Sequence, residues 1–261
     1  MKQLKTHIHL PPRLPSLATV REFLRRVIEE YRWFRPMRYG LAIPEERIDP
    51  NHVDHHELMA FYTELKAICV AGRTDRDFFL LHPAKPDVPP YTGAIIWRTS
   101  ISEAVKPSWR NAHLRQVLEV MRLMGSPLAQ SAAEGDYTLK NQRMVPAPDG
   151  LGSMEEPTVR DYGEGLAGLF WRNFFGPPFV RMFGERLNTL PAEFKQDLGG
   201  GIVLVQPYEL PTQAGTPEAI SRERQLIEHL GSECFYEHEH HRKPIRAPEF
   251  PASPEEWVRK I

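Results

Sequence analysis

The sequence contains only two cysteines, Cys69 and Cys234, among its 261 residues. They form no Cys-x-x-Cys pair and cannot build a disulfide framework, which argues against a disulfide-stabilised secreted fold. Cys69 lies in an apolar stretch, so we expect it to be a small buried hydrophobic residue. A reducing compartment fits this cysteine usage best.

The chain also lacks an excess of charge of either sign and a long hydrophobic run. It has 33 basic and 34 acidic residues, whereas proteins that bind nucleic acid through its phosphates are usually strongly basic. No run approaches the ~18 apolar residues of a membrane span, and the N-terminus has no apolar core typical of a signal peptide. We therefore expect a cytoplasmic protein that binds neither nucleic acid nor membranes.

Proline is abundant, with 25 residues, and most prolines separate stretches of periodic apolar spacing. The periodicity predicts four amphipathic helices, at 20–34, 54–71, 108–124 and 216–231. Strands are predicted at 37–43, 77–82, 92–99, 137–145 and 166–175, with a hairpin of 192–198 and 201–206 around three glycines. A short helix is expected from Pro177.

Helices and strands do not alternate regularly along the chain, which favours the α+β class over a Rossmann fold or a barrel. We predict a mixed or antiparallel sheet packed with about four amphipathic helices. The chain is expected to form a single domain over 1–261, with a peripheral N-terminal arm at 1–15 and a peripheral C-terminal tail at 237–261. The aromatic stretch 170–183 is expected to lie at the centre of the core, because its rings offer a large apolar area to bury.

A GxGxxG pattern occurs at Gly163, Gly165 and Gly168. A dinucleotide site would need a hydrophobic strand before the glycines and a helix after them. The preceding residues are polar, and Gly176-Pro177-Pro178 follows soon after. We therefore interpret the glycines as turn or close-packing positions and predict no cofactor.

Two histidine clusters are candidate metal sites. One comprises His52, Asp54, His55, His56 and Glu57, and the other comprises His229, Glu237, His238, Glu239, His240 and His241. His52 and His56 have the four-residue spacing of two helical ligands, but the HExxH pattern is absent. His7 and His9 resemble the HxH pair of amidohydrolases, without the strand–helix alternation of that barrel. Solvated surface is the more ordinary interpretation of all three, so we predict no metal.

Catalytic groupings are missing as well. The chain has no GxSxG, no phosphate-binding loop and no Cys–His–Asn set, and its carboxylates do not stand in apolar runs where burial would raise a pKa. We therefore predict no catalytic residues and no enzymatic activity. A metal-dependent hydrolase that uses one of the histidine clusters is the alternative.

The densest pattern runs through Trp171-Arg172-Asn173-Phe174-Phe175-Gly176-Pro177-Pro178-Phe179-Val180, Phe183-Gly184, Leu190-Pro191 and Gly200-Gly201-Ile202-Val203-Leu204. Over about residues 160–250 the chain resembles the C-terminal half of bacterial immunity proteins encoded beside polymorphic or type VI secreted toxins. The resemblance implies a small α+β protein that neutralises a cognate toxin by direct binding, as in a toxin–antitoxin pair. It implies no catalytic residues.

A neutralising protein needs surface anchors, for which Trp, Tyr and Arg are the favoured side chains. Trp33, Arg35, Arg38 and Tyr39, where the first helix ends, are the candidate partner-binding residues. Burial in the core is the competing interpretation of Trp33. The oligomeric state cannot be deduced from these patterns.

Overall fold

The computed structural model of the chain describes residues 2–84 and 93–250. Part of the predicted loop at 83–90 and the last part of the predicted tail, 251–261, lie outside the described residues. The chain divides into two compact units, the first ending at Ala129 and the second beginning at Gln130, so that the boundary falls within the strand Leu128–Ala133, most of which belongs to the second unit. That it folds as a single domain stays a prediction. No helix among the described residues is both long enough and apolar enough to cross a membrane.

The first unit is an antiparallel sheet with three helices. Its elements are β1 (Gln3–His9), α1 (Leu17–Arg25), β2 (Arg38–Gly40), β3 (Pro44–Arg47), α2 (His55–Leu65), β4 (Ile68–Ala71), β5 (Phe78–His82), β6 (Ala94–Ser100) and α3 (Pro107–Met124). The strands follow one another across the sheet in the order β1-β6-β5-β4-β2-β3. Each neighbouring pair is antiparallel.

The core of the first unit lies between one face of this sheet and the helices. Thr6 pairs with Trp97, and Trp97 pairs with Phe79, so these side chains share a face. Phe23 of α1 packs edge-to-face on Phe79 at 5.4 Å between ring centroids. His113 of α3 reaches the same face, where its Nε2 lies 3.0 Å from Oγ1 of Thr6. Helices α1 and α3 therefore cover this side of the sheet.

The second unit combines short strands, a separate hairpin and helices. Its elements are β7 (Leu128–Ala133), α4 (Glu134–Asn141), β8 (Gln142–Pro146), β9 (Ser153–Pro157), β10 (Arg172–Phe175), α5 (Pro177–Phe183), α6 (Glu185–Asn188), β11 (Lys195–Asp197), β12 (Val203–Val205) and α7 (Pro217–Leu230). Four strands are ordered β11-β12-β10-β7, and β8 pairs only with β9. The β10–β12 and β11–β12 pairs are antiparallel.

The aromatic stretch forms the core of the second unit, as the sequence predicts. Phe170, Trp171, Phe174 and Phe175 have no accessible surface. Phe175 contacts Phe183 at 5.0 Å between centroids, and Asn173 is buried among these rings. Asn173 is satisfied there, because Nδ2 donates to the carbonyls of Phe170 and Val205 while Oδ1 accepts from the Phe170 amide. The buried amide thus joins β10 to β12.

The α+β class and the antiparallel pairing are confirmed, but about four helices is too few. The described residues hold seven α-helices, of which α4, α5 and α6 are short. Ser16, Asp54 and Thr216 cap α1, α2 and α7 through their side chains. The predicted strand pair of β5 and β6 is present, and so is the three-glycine hairpin of β11 and β12.

Several boundaries differ from the prediction for identifiable reasons. The second helix was expected to reach residue 71, but Lys66 adopts a left-handed conformation (φ 56°) that ends it after Leu65. The fully buried run after it, which includes the β-branched residues Ile68 and Val70, forms β4. The predicted strand 137–145 is helix α4 followed by β8, and its stripe residue Leu139 is 74 % exposed.

The predicted peripheral arm at 1–15 is wrong for its first half. Residues 3–9 form β1, which pairs along its whole length with β6. Leu4 and Ile8 are buried at 1 % and 0 % exposure. The alternation of Leu4, Thr6 and Ile8 on the core side fixes this register, because the side-chain period of a strand is two. The arm therefore completes the hydrophobic face of the sheet.

Candidate functional site

The first unit carries an open groove of about 750 Å³ where α1 ends. Its apolar lining includes Ile28, Phe34 and Val53, which are buried or half-buried. Its polar lining consists of the side chains of Glu29, Arg32, Arg35, Asn51 and His52, all exposed. We call this feature the Arg32–Arg35 groove. It brings together Arg35 of the predicted partner-binding residues and His52 of the first histidine cluster.

An irregular helix end shapes the groove. After α1, residues Arg26–Glu30 widen into a π-helical turn, and the Tyr31 amide donates to the Arg26 carbonyl over 2.7 Å. Such turns are rare and often occur at functional sites. The chain then reverses at Arg32, whose φ of 51° is uncommon for a residue other than glycine. The Trp33 amide closes the turn by donating to the Val27 carbonyl over 3.2 Å.

Burial of Trp33 accounts for the reversal. Its ring stacks on Trp97 at 4.1 Å between centroids and 2° between planes. Its Nε1 donates to Oε1 of Gln116 over 3.1 Å, so the polar edge of the ring is satisfied. With only 9 % of its surface accessible, Trp33 belongs to the core. The backbone must turn sharply at Arg32 to place the Trp33 ring in the core.

The charged side chains that line the groove differ in whether they lie close to an oppositely charged group. Oε1 of Glu29 lies 2.8 Å from Nε2 of His55. Arg32 Nε donates to the backbone carbonyl of Glu29 over 3.2 Å, and Arg35 Nη2 donates to Oδ1 of Asn51 over 3.0 Å. Within residues 2–84 and 93–250, neither guanidinium forms an ion pair with a carboxylate. The two arginines therefore present positive charge to solvent.

The four predicted partner-binding residues fall into two groups. Trp33 and Tyr39 are buried, and Tyr39 donates from its hydroxyl to Oε1 of Glu57 over 2.7 Å. Burial, followed by the Glu57 carboxylate, raises the pKa of Tyr39 to about 12. Arg38 is half-buried and pairs with Asp75 over 2.7 Å. Arg35 alone of the four lines the groove; contact of any of them with a partner stays a prediction.

The residues of each histidine cluster make separate local contacts. His52 lines the groove, whereas Asp54 caps α2 by accepting from the amides of His56 and Glu57. In the second cluster, Nε2 of His238 lies 2.7 Å from the carbonyl oxygen of Ala167. No group of three or more potential ligands is assembled among the residues that the structure describes. The absence of a metal stays a prediction.

His7 and His9 lie on the same face of β1, as their two-residue spacing requires. Their rings stack in parallel at 4.3 Å between centroids. Burial, together with the neighbouring positive groups, holds the pKa of His7 well below its usual value. The stacked pair accounts for this spacing without a metal.

The glycines of the GxGxxG pattern serve packing. Gly165 has a φ of 112°, and a Cβ there would lie 2.5 Å from Cβ of Pro244. A Cβ on Gly168 would lie 3.2 Å from Cδ of Lys140. Residues 162–164 form a single 3₁₀ turn, so the helix start that a dinucleotide motif needs does not occur at this position.

The second unit holds a buried ionic cluster that the sequence analysis missed. Nζ of Lys140 lies 2.8 Å from Oδ1 of Asp136 and 2.7 Å from Oε2 of Glu223. Burial raises the pKa of Glu223, and burial followed by the two carboxylates raises that of Tyr208. The prediction that no carboxylate has a pKa raised by burial is therefore wrong. The signal was available, since Glu223 falls in the buried stripe of α7 with Ala219, Leu226 and Leu230.

This cluster is built as a closed network. The side chains of Asp136, Lys140 and Glu223 are 9 %, 14 % and 9 % exposed. Lys140 also donates to the Leu169 carbonyl over 2.7 Å and lies 5.1 Å from the centroid of the Phe170 ring. Such enclosure suits a network that fixes the position of α4 against α7, because removing one member of a buried ion pair leaves the other charge uncompensated.

Comparison with known proteins gives a likeness of fold. No protein-family model matches the chain, and no curated protein does. A search of solved structures found similarity to the Pseudomonas aeruginosa T6SS protein PA0821, with a TM-score of 0.58 and 12 % sequence identity. The match covers 89 % of this chain and 77 % of that chain. The chain therefore shares its fold with a protein of a type VI secretion system.

Proposed function

We propose that the chain is a cytoplasmic immunity protein, which binds a cognate toxin delivered by a type VI secretion system and blocks it. The observation that carries the proposal is the similarity of fold to a T6SS protein over 89 % of the chain. The aromatic motif that resembles immunity proteins supports it independently, and this motif forms the core of the second unit. The partner is the toxin protein itself.

The chemistry of the chain is compatible with neutralisation by binding alone. Among the described residues, Glu223, a carboxylate whose pKa burial raises, lies in an enclosed network. The Arg32–Arg35 groove is an open charged feature, whose arginines are side chains that anchor protein interfaces well. A binder needs a rigid core and an accessible, specific surface, and it needs no activated nucleophile.

Co-expression with the toxin encoded by the neighbouring gene tests the proposal. A toxin that is lethal alone should be tolerated when this chain is co-expressed. The two proteins should also co-purify, with an interface of about 1,200–2,000 Å² in total. A catalytically inactive toxin is the control that allows binding to be measured without selection. A harmless neighbour, or protection without any binding, would refute the proposal.

The alternative is a metal-dependent hydrolase that uses a histidine cluster, and it predicts a different result. The purified chain alone should then hold about one metal ion and turn over a small substrate. Replacement of His52 or His238 should abolish that turnover. An immunity protein should protect equally well with either replacement, provided that the chain remains folded.

A further inference from the structure

We infer that the Arg32–Arg35 groove receives a carboxylate-bearing loop of the toxin, with both guanidinium groups on the carboxylate and apolar toxin side chains on the groove lining. The inference rests on the proposed function and adds the chemistry of the contact. Arg32 and Arg35 would anchor the toxin loop. The buried Trp33 would hold in place the turn that carries these two arginines.

Arg32 and Arg35 differ from the neighbouring arginines in their hydrogen-bond acceptors. Arg25 pairs with Glu22 over 2.9 Å, and Arg26 pairs with the same carboxylate over 2.6 Å. Arg38 pairs with Asp75. Arg32 and Arg35 instead hydrogen-bond a backbone carbonyl and a side-chain amide, both neutral acceptors. A carboxylate adds a full opposite charge and can accept two parallel N–H···O bonds from one guanidinium, so a carboxylate from a partner would be the preferred acceptor.

The backbone conformation at Arg32 also points to a role at an interface. The chain needs a left-handed residue here to bring Trp33 into the core, and glycine or asparagine meets that need with less strain. The side chain of Arg32 adds one bond of 3.2 Å to a local carbonyl. The fold therefore gives no reason for arginine at this position. Strain that the fold does not require is often found at functional sites.

The size and the lining of the groove suit such a loop. A volume of about 750 Å³ lies within the ~300–1,000 Å³ of clefts that enclose a ligand. Phe34 and Val53 offer apolar contact beside the two guanidinium groups. Glu29 is the acidic member of the lining, and it faces His55. A loop with an aspartate or glutamate flanked by apolar residues matches this combination.

Nucleic acid is the other polyanion that two arginines could bind. The formal net charge of −1 disfavours it, because phosphate binding is sustained by a broad positive field. The groove also offers apolar contact at half-buried side chains, which suits a folded protein loop. The protein partner is therefore the occupant that the charges favour.

The test measures the dissociation constant of the inactive toxin for the full chain and its variants. Arg32→Asn and Arg35→Gln should each weaken binding about 10- to 100-fold, the loss expected for a charge-assisted contact at an interface. Arg35→Glu should weaken binding more and abolish protection in co-expression. The matched control is Arg224→Gln, which removes one exposed arginine of α7 and should leave binding within about twofold.

Two further readouts separate an anchoring role from a structural one. Arg32→Asn should keep or raise the midpoint of urea unfolding, because asparagine tolerates the left-handed conformation. The salt dependence of binding should be shallower in the doubly substituted chain than in the wild type. A toxin variant with the contacted Asp or Glu changed to Lys should regain binding to the Arg35→Glu chain.

The outcomes are distinguishable. If the wild-type chain binds and protects but the groove variants do so equally well, the groove inference fails and the proposed function stands. If the wild-type chain neither binds nor protects, both fail. The inference also fails if a single-stranded oligonucleotide binds the wild-type chain, Arg35→Glu abolishes that binding, and toxin binding is unchanged.

Discussion

Replacement of Trp171 by alanine tests the core that the whole second unit depends on. The side chain has no accessible surface, and its Nε1 donates to the Glu209 carbonyl over 2.8 Å. The guanidinium of Arg172 lies 4.3 Å from its ring centroid. Truncation removes a large buried ring, which costs about 3–5 kcal/mol. Loss of the hydrogen bond from Nε1 to the Glu209 carbonyl adds about 1 kcal/mol, so we expect the upper end of that range.

The assay is urea denaturation followed by circular dichroism. A loss of this size is a large fraction of the ~5–15 kcal/mol that stabilises a typical domain. Trp171→Phe keeps most of the apolar area and should lose only about 1–2 kcal/mol. Leu139→Ala, at a side chain that is 74 % exposed, is the control and should change stability by less than about 0.5 kcal/mol. An unchanged midpoint for Trp171→Ala would show that this core is misassigned.

Three further predictions concern other features. Gly165→Ala should destabilise the chain by at least about 1–2 kcal/mol, because its φ of 112° and the nearby Pro244 leave no place for a Cβ; an unchanged melting temperature would contradict this. The pKa of Glu223 is raised in the folded state, so its contribution to stability should fall as pH rises above about 4.5. Urea unfolding at pH 4.5, 6 and 7.5 should therefore show the wild type losing stability relative to Glu223→Gln, and a constant difference would refute the assignment. Elemental analysis of dialysed, untagged protein should find no stoichiometric metal. One zinc or nickel ion per chain would instead favour the alternative function, a metal-dependent hydrolase.

Local signals predicted the parts of the fold that local chemistry determines. The side chains of Ser16, Asp54 and Thr216 mark helix starts because they satisfy free backbone amides, and all three do so. The aromatic side chains of the stretch 170–183 were predicted to be buried because of their large apolar area, and they are buried. The strand pair of β5 and β6 followed from the apolar runs on either side of a proline-rich connection.

Elements that depend on distant partners were not predictable in the same way. β1 is a strand because β6 pairs with it, and its sequence alone resembles an extended arm. The apolar stripe of α2 runs on into β4, and only the left-handed Lys66 separates the two. β7 consists mainly of small residues, which carry weak strand propensity of their own.

The candidate site was only partly visible from the sequence. Arg35 was selected as a surface anchor, whereas Trp33 and Tyr39 lie in the core. A π-helical turn and a positive φ at Arg32 shape the groove, and neither leaves a pattern in the residues themselves. Glu223 did interrupt an apolar stripe, a signal that marks a buried charge when its partner is known.

Titration of the active toxin with the purified chain measures neutralisation itself. We expect toxin activity to fall to background as the chain is added, with the Arg35→Glu chain requiring a much higher concentration. Toxin activity that persists at a saturating concentration of the folded wild-type chain would refute neutralisation by binding.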